Sequence, residues 1–225
     1  MNLNQNYSRH KYLIVLVIFI GLFSIYIDCN ATEAPGYIVT ENRDTISGVV
    51  QLSWFDQLTG GFILNGVEKE SFYSRVIFKS KGESNFQTYF PESITGFGFR
   101  YDGVNYFYQR FKVERNSILV SENHQYRFLN LLYKGSLELY KDITFVENLH
   151  ANTTHEKYLC FSSYYLFSPK KGLVRAEKNN QYKNVGDLFR YYGIEDKFIA
   201  TIPHHANFNE LKGWLALYDY WLWMK

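Results

Sequence analysis

The chain has 225 residues, 24 of them Lys or Arg and 22 Asp or Glu, for a formal charge of +2. So even a balance gives no general attraction to nucleic acid or to an anionic membrane, and either partner would need a local patch. Only Cys29 and Cys160 occur, which excludes a disulfide-dense scaffold, while 20 Tyr and 19 Phe suit pleated, half-buried sheet surfaces.

The amino terminus speaks about address. Arg9, His10 and Lys11 precede an apolar run from Tyr12 to Ile27, and Cys29-Asn30-Ala31 follows. Basic flank, short apolar core and small residue before a cut is the order of a secretory signal peptide, here expected over 1–31 with cleavage after Ala31. The run falls short of the ~20 residues that span a bilayer comfortably, so a retained anchor is the second reading. Asp28 stands where bacterial lipoprotein signals place a small residue before the cysteine, which argues against lipidation of Cys29. Without Cys29 the exported chain has no internal disulfide and must rely on core burial, which fits a bacterial envelope.

Residues 32–225 are expected to form a single domain, β-rich over 37–180 and helical over 181–225. Ala34-Pro35-Gly36 reads as a linker, with order expected from Tyr37. Tyr37–Thr40 reads as a strand, Glu41–Asp44 as a turn and Thr45 onward as the returning strand. There Ile46, Val50, Leu52 and Trp54 alternate with polar residues, which predicts an antiparallel sheet with one buried face. Gly48 interrupts that apolar side and predicts a bulge or a close backbone contact. Further strands are predicted near Gly61–Leu64, Arg75–Ser80, Asn85–Phe90, Ile94–Arg100, Val104–Arg110 and Ser117–Ser121. Asp102-Gly103 is the clearest hairpin turn, since this pair tolerates the positive φ of type I′.

Tyr126–Tyr133 predicts a short helix, with Phe128, Leu129, Leu131 and Leu132 on its face and Lys134-Gly135 as its stop. Ser136–Tyr140 returns to alternation, and Asn148–Thr154 reads as a loop. Lys157–Phe167 and Leu173–Lys178 predict a closing hairpin about Ser168–Gly172. Asn184 then caps a helix through Tyr192, stopped at Gly193. A second helix is expected over Glu195–Ile202, ended by Pro203. In the last, Phe208, Leu211, Trp214, Leu215, Tyr218, Trp221 and Leu222 form one apolar face that predicts packing. Its tryptophans also suit a membrane interface, but the polar face lacks the Lys/Arg richness of such helices.

No catalytic pattern stands out. A nucleophile elbow, a phosphate loop, a dinucleotide fingerprint and a His-Glu-x-x-His run are all missing. Cys160 falls in a predicted strand, where a thiol acts as a small hydrophobe. His150, His155, Glu156, His204 and His205 are the weak candidates for a zinc site, because zinc accepts imidazole and carboxylate; their spacing does not force convergence. Glu92, Asp102, Glu138 and Asp142 would need folding to pair them as a glycosidase requires. Lys170, Lys171, Arg175 and Lys178 read as a solvated hairpin face. No catalytic residue and no cofactor is assigned.

Gly36-Tyr37-Ile38-Val39-Thr40 with Asp44-Thr45-Ile46-Ser47-Gly48-Val49-Val50 resembles the opening "GYIV…DTI.G.I" hairpin of an uncharacterised exported family of Bacteroidota-type bacteria. Tyr89–Phe97 resembles its "Y.P..I.GF" turn, Phe128–Tyr140 its "FL..L..G...LY" helix-to-strand passage, and the closing helix resembles its terminal one in position. The resemblance implies export and conveys no activity. The expectation is therefore an α+β fold, an antiparallel β-rich meander sheet followed by a short C-terminal helical segment. Its expected role is a non-enzymatic structural or binding module of the bacterial envelope. An envelope hydrolase assembled only in three dimensions and a membrane-tethered accessory protein are the alternatives. An envelope protein or glycan is the expected partner, nucleic acid is not, and membrane contact is expected only if the amino-terminal segment stays.

Overall fold

The computed structural model describes residues 32–52, 55–56, 61–62, 70–114, 124–147, 158–176 and 182–225. The leader, the strand expected at Ser117–Ser121, the loop at Asn148–Thr154 and the residues His150, His155 and Glu156 lie outside them. In chain order the strands are β1 (Thr32–Thr40), β2 (Thr45–Leu52), β3 (Phe55–Asp56), β4 (Gly61–Phe62), β5 (Val76–Ser80), β6 (Gln87–Tyr89), β7 (Ile94–Tyr101), β8 (Val104–Glu114), β9 (His124–Lys134), β10 (Glu138–Glu147), β11 (Tyr158–Ser168) and β12 (Gly172–Arg175). Helix α1 (Glu70–Ser74) precedes β5, and α2 (Val185–Tyr192), α3 (Asp196–Ile199) and α4 (Leu211–Trp223) close the chain.

A 10-stranded sheet runs in the order β12-β11-β10-β9-β8-β7-β1-β2-β5-β6, with every pairing antiparallel. This is the expected α+β meander with a helical end. From β7 to β12 each strand pairs with its successor. The β1–β2 hairpin is docked between β7 and β5, so the chain returns from β6 to β7 across its own first hairpin. The Asp102-Gly103 turn has φ of 48° and 75°, positive at both central positions as type I′ requires.

Apolar side chains gather in separate clusters, which is how one broad sheet is covered. The first lies under β1, β2, β5, β7 and β8 with α1, where Phe72, Phe97, Phe99 and Tyr108 pack ring against ring. Another joins Leu137, Leu139 and Leu166 to α2, α3 and α4. A third holds Val113, Leu129, Tyr140 and Tyr165. The neighbours Phe128 and Leu129 are both fully buried yet belong to different clusters, so β9 is covered on both faces.

That double burial corrects the expected helix at Tyr126–Tyr133, which is the middle of strand β9. A strand buried on both sides carries consecutive apolar residues, and over so short a run these imitate a helical stripe. Lys134-Gly135 therefore opens the β9–β10 hairpin rather than stopping a helix. The expected linker is corrected too: Ala34-Pro35-Gly36 belongs to β1, facing Val50, Val49 and Gly48. Pro35 is tolerated because it precedes the first β1–β7 pair, Gly36 with Phe99, and so sits where β1 has β2 alone beside it. At Gly48 a Cβ would lie 2.1 Å from the Lys79 carbonyl oxygen, the close backbone approach that its placement suggested.

Strands β9 and β10 pair only from Glu138 opposite Lys134 to Lys141 opposite Asn130, and then part. Arg127 fills the opening. Its Nε and Nη2 donate to Asp142 Oδ1 at 3.0 and 2.8 Å, and Nη2 also donates to the Ile143 carbonyl at 3.0 Å. Both side chains are buried. Burial pushes the Asp142 carboxyl above its usual range, against the pull of Arg127 and Arg175.

The helical end follows its caps. Asn184 accepts from the Asp187 N–H at 3.0 Å, and Gly193, at φ 82°, ends α2 in the left-handed region. The expected second helix is shorter than Glu195–Ile202, covering Asp196–Ile199. In α4, Leu211 and Leu215 are buried while Trp214, Tyr218 and Trp221 pack against the same cluster, the face the sequence predicts. Leu222, expected on that face, is instead exposed, with Leu217, Tyr220 and Trp223. Among the described residues no helix is long and apolar enough to cross a membrane.

Candidate functional site: a groove across the sheet

Strand β7 reads Ile94-Thr95-Gly96-Phe97-Gly98-Phe99, and successive residues of a strand point to opposite faces. Phe97 and Phe99 enter the first core. The other face of β7 consequently presents only glycine at 96 and 98. Gly98 lies between Tyr37 of β1 and Phe107 of β8, and Gly96 between Val39 and Gln109. Side chains two strands apart, ~10 Å, thus flank a backbone floor. The result is an open groove of about 700 Å³ whose walls include Tyr37, Phe107, Gln109 and Leu131.

The glycines are sterically required. A Cβ on Gly98 would lie 2.8 Å from the Tyr37 ring and hydroxyl, and one on Gly96 would lie 2.6 Å from the Tyr108 carbonyl oxygen. Tyr37 leans over the bare strand and is half-buried there, and this burial raises its phenol above the ordinary value.

Cationic side chains stand at the groove's ends. Arg43 comes from the β1–β2 turn, where its φ of 67° is left-handed. The turn holds that conformation through Arg43 N–H to the Thr40 carbonyl (3.0 Å), Thr40 N–H to the Asp44 carbonyl (2.9 Å) and Asp44 N–H to Thr40 Oγ1 (3.2 Å). Lys134 ends β9. Because β1 and β7, β7 and β8, and β8 and β9 are all antiparallel, the carboxyl ends of β1 and β9 lie at opposite margins of the sheet. Neither Arg43 nor Lys134 makes an ion pair among the described residues. Arg110, also in the lining, is engaged: it pairs with Glu41, donates to the Pro91 carbonyl at 3.2 Å and lies 5.2 Å from the Tyr126 ring centroid.

Beside the groove, the Tyr140 hydroxyl lies 2.5 Å from Glu138 Oε2 and 2.9 Å from Gln109 Oε1. Burial, then the Glu138 carboxylate that accepts its proton, hold that phenol well above its ordinary range, so Tyr140 stays a neutral hydroxyl beside Gln109.

Of the residues singled out from sequence, His150, His155, Glu156 and Lys178 lie outside the described residues, and none of the described ones lines this groove. His204 and His205 are exposed in the turn after α3. Among the described residues no group of three or more His, Cys, Asp or Glu could hold a metal. The carboxylates proposed for pairing have separate settings: Asp102 is in the β7–β8 turn, Glu138 faces Tyr140, and Asp142 faces Arg127. Among the described basic hairpin residues, Lys171 lies 4.8 Å from the Tyr191 ring centroid and Arg175 acts on Asp142. For Cys160 only the backbone, in β11, is described.

Sequence reasoning passed over the groove residues, though one signal was present. The Gly-Phe-Gly-Phe alternation marks a strand that is apolar on one face and empty on the other. The chain matches no protein-family model, no curated protein and no solved structure.

Proposed function

We propose that this chain is an exported, non-enzymatic binding module of the bacterial envelope, and that it takes its ligand in the groove across β1, β7, β8 and β9. The observation that carries this reading is the groove's lining, with Phe107 and Gln109 exposed beside a half-buried Tyr37 and with Arg43 and Lys134 at its ends. Tyr37 covers Gly98, and the groove beside it is walled by aromatic and amide groups and bordered by two cations that make no ion pair among the described residues, the mixture that ligand sites use. The basic and apolar pattern of the first 31 residues supports export.

The test is to purify the full chain, add solubilised envelope material from the native host, and follow the Tyr and Phe side-chain resonances by NMR. Perturbation confined to Tyr37 and Phe107, and lost in Phe107→Ala at unchanged thermal stability, is the expected result. Perturbation that survives Phe107→Ala, or turnover of the added material into product, would refute the reading. Mass spectrometry of the envelope-associated protein should show a start at Thr32, and recovery in the cytosol with Met1 intact would refute export.

A further inference from the structure

The groove lies in the interior of the sheet, and this limits what can enter it. Strands β1, β7, β8 and β9 each have a hydrogen-bonded neighbour on both sides along the groove. A peptide therefore cannot add to it as an extra strand, because the backbone donors and acceptors it would use are taken. Recognition must come from side chains alone: aromatic surface at Tyr37 and Phe107, hydrogen bonding at Gln109 and the Tyr37 hydroxyl, and positive charge at Arg43 and Lys134. A pyranose ring offers a flat C–H face to an aromatic and hydroxyls to an amide. A carboxylate on that ring supplies the complement to a guanidinium or an ammonium.

Resting on the groove reading above, we propose that the ligand is an acidic oligosaccharide of the uronate class. Its ring faces lie on Phe107 and Tyr37 and its carboxylates on Arg43 and Lys134. The cations are at opposite margins, so the ligand extends along the groove and spans several sugar units. Arg43 is held ready by the Glu41–Asp44 turn, whose hydrogen bonds fix its left-handed backbone before any ligand arrives.

Calorimetric titration of the full chain with α-1,4-linked tetragalacturonate tests this, alongside its methyl ester and tetraglutamate. The acid should bind, and the ester and the peptide should bind at least tenfold more weakly. Arg43→Asn, which keeps a residue tolerant of positive φ, and Lys134→Gln should each weaken binding of the acid by about tenfold, the loss of one charge-assisted contact. Affinity should fall with added salt. Equal affinity for ester and acid, or for tetraglutamate and tetragalacturonate, overturns the uronate assignment. So does absence of binding to the acid while envelope material still perturbs Tyr37 and Phe107; in that case the groove reading survives. If envelope material also leaves those residues untouched, both readings fail.

Discussion

Replacing Gly135 by alanine should break the polar tie between the carboxyl-terminal helix and the sheet while its apolar packing remains. A Cβ at this position would lie 1.8 Å from Asp219 Oδ2, an impossible contact that forces the carboxylate away. That carboxylate accepts from the Tyr133 hydroxyl at 2.5 Å and from the Ser136 N–H at 3.2 Å, and these contacts tie α4 to the β9–β10 turn. Backbone strain does not enter, since Gly135 is not among the glycines with positive φ. A hydrogen bond to a charged acceptor contributes about 1.5–3 kcal/mol, and partial exposure of Asp219 places both contacts at the low end, so the loss should be roughly 2–4 kcal/mol. At roughly 2–4 °C per kcal/mol for a chain of this size, Tm should fall by about 5–15 °C. The decisive measurement is a double-mutant cycle in urea, followed by tryptophan fluorescence. Asp219→Ala removes the nearest obstacle and frees the Tyr133 ring, 2.7 Å from the added Cβ, to swing aside, so adding Gly135→Ala to it should cost about 1 kcal/mol, leaving a coupling of roughly 1–2 kcal/mol. A Gly135→Ala protein within about 0.5 kcal/mol of wild type, or simple additivity with Asp219→Ala, would refute the steric argument.

Asp142→Ala should cost about 3–5 kcal/mol in urea unfolding, because it leaves the Arg127 guanidinium buried without its carboxylate, met by the Ile143 carbonyl and by the Tyr73 ring 5.9 Å away. The double change Arg127→Met with Asp142→Leu should cost less than that single change, and the reverse order would show the pair to be a net stabiliser. Tyr133 is pushed up to about 12 by burial and then by Asp219, so its contribution is complete below pH ~10 and is lost as pH rises through about 12. Urea midpoints measured across that window should fall less steeply in Tyr133→Phe than in wild type, and parallel curves would exclude this group. Asn184→Ala removes the acceptor of the Asp187 N–H and should destabilise by about 1 kcal/mol, as read by thermal unfolding.

Legibility from sequence tracked how local each signal was. The Asn184 and Gly193 caps, the Asp102-Gly103 turn and the β1–β2 hairpin depend on dihedral preferences of a few adjacent residues, and each stands where it was expected. The strand at Tyr126–Tyr133 was misread because its burial on both faces comes from elements distant in sequence, α1 with the first core on one side and Tyr140 with Tyr165 on the other. Helix α1 went unnoticed for a related reason: its five residues are too few to show a period, yet Phe72 and Tyr73 sit at the centre of an aromatic cluster. The groove was the least legible feature. Its cations come from a turn and a strand end with two strands between them, and only the β1–β7–β8–β9 pairing aligns them with Tyr37 and Phe107.

One short segment connects fold and site. In Gly96-Phe97-Gly98-Phe99 the two phenylalanines place stacked and tilted rings against Phe72, Tyr108 and Phe128, which anchors β7 in the first core. Gly98, between them, is what lets Tyr37 fold over the strand from the other side. Larger residues at 96 and 98 would meet the Tyr108 carbonyl and the Tyr37 ring, so the same alternation that secures the core also lets Tyr37 close over the reverse face. A strand chosen only for stability would carry β-branched residues on both faces, since glycine in a strand interior is destabilising. Glycine at the centre of the sheet is explained by what lies against it, the Tyr37 ring at 98 and the Tyr108 carbonyl oxygen at 96, so the segment sets where Tyr37 stands on the groove wall.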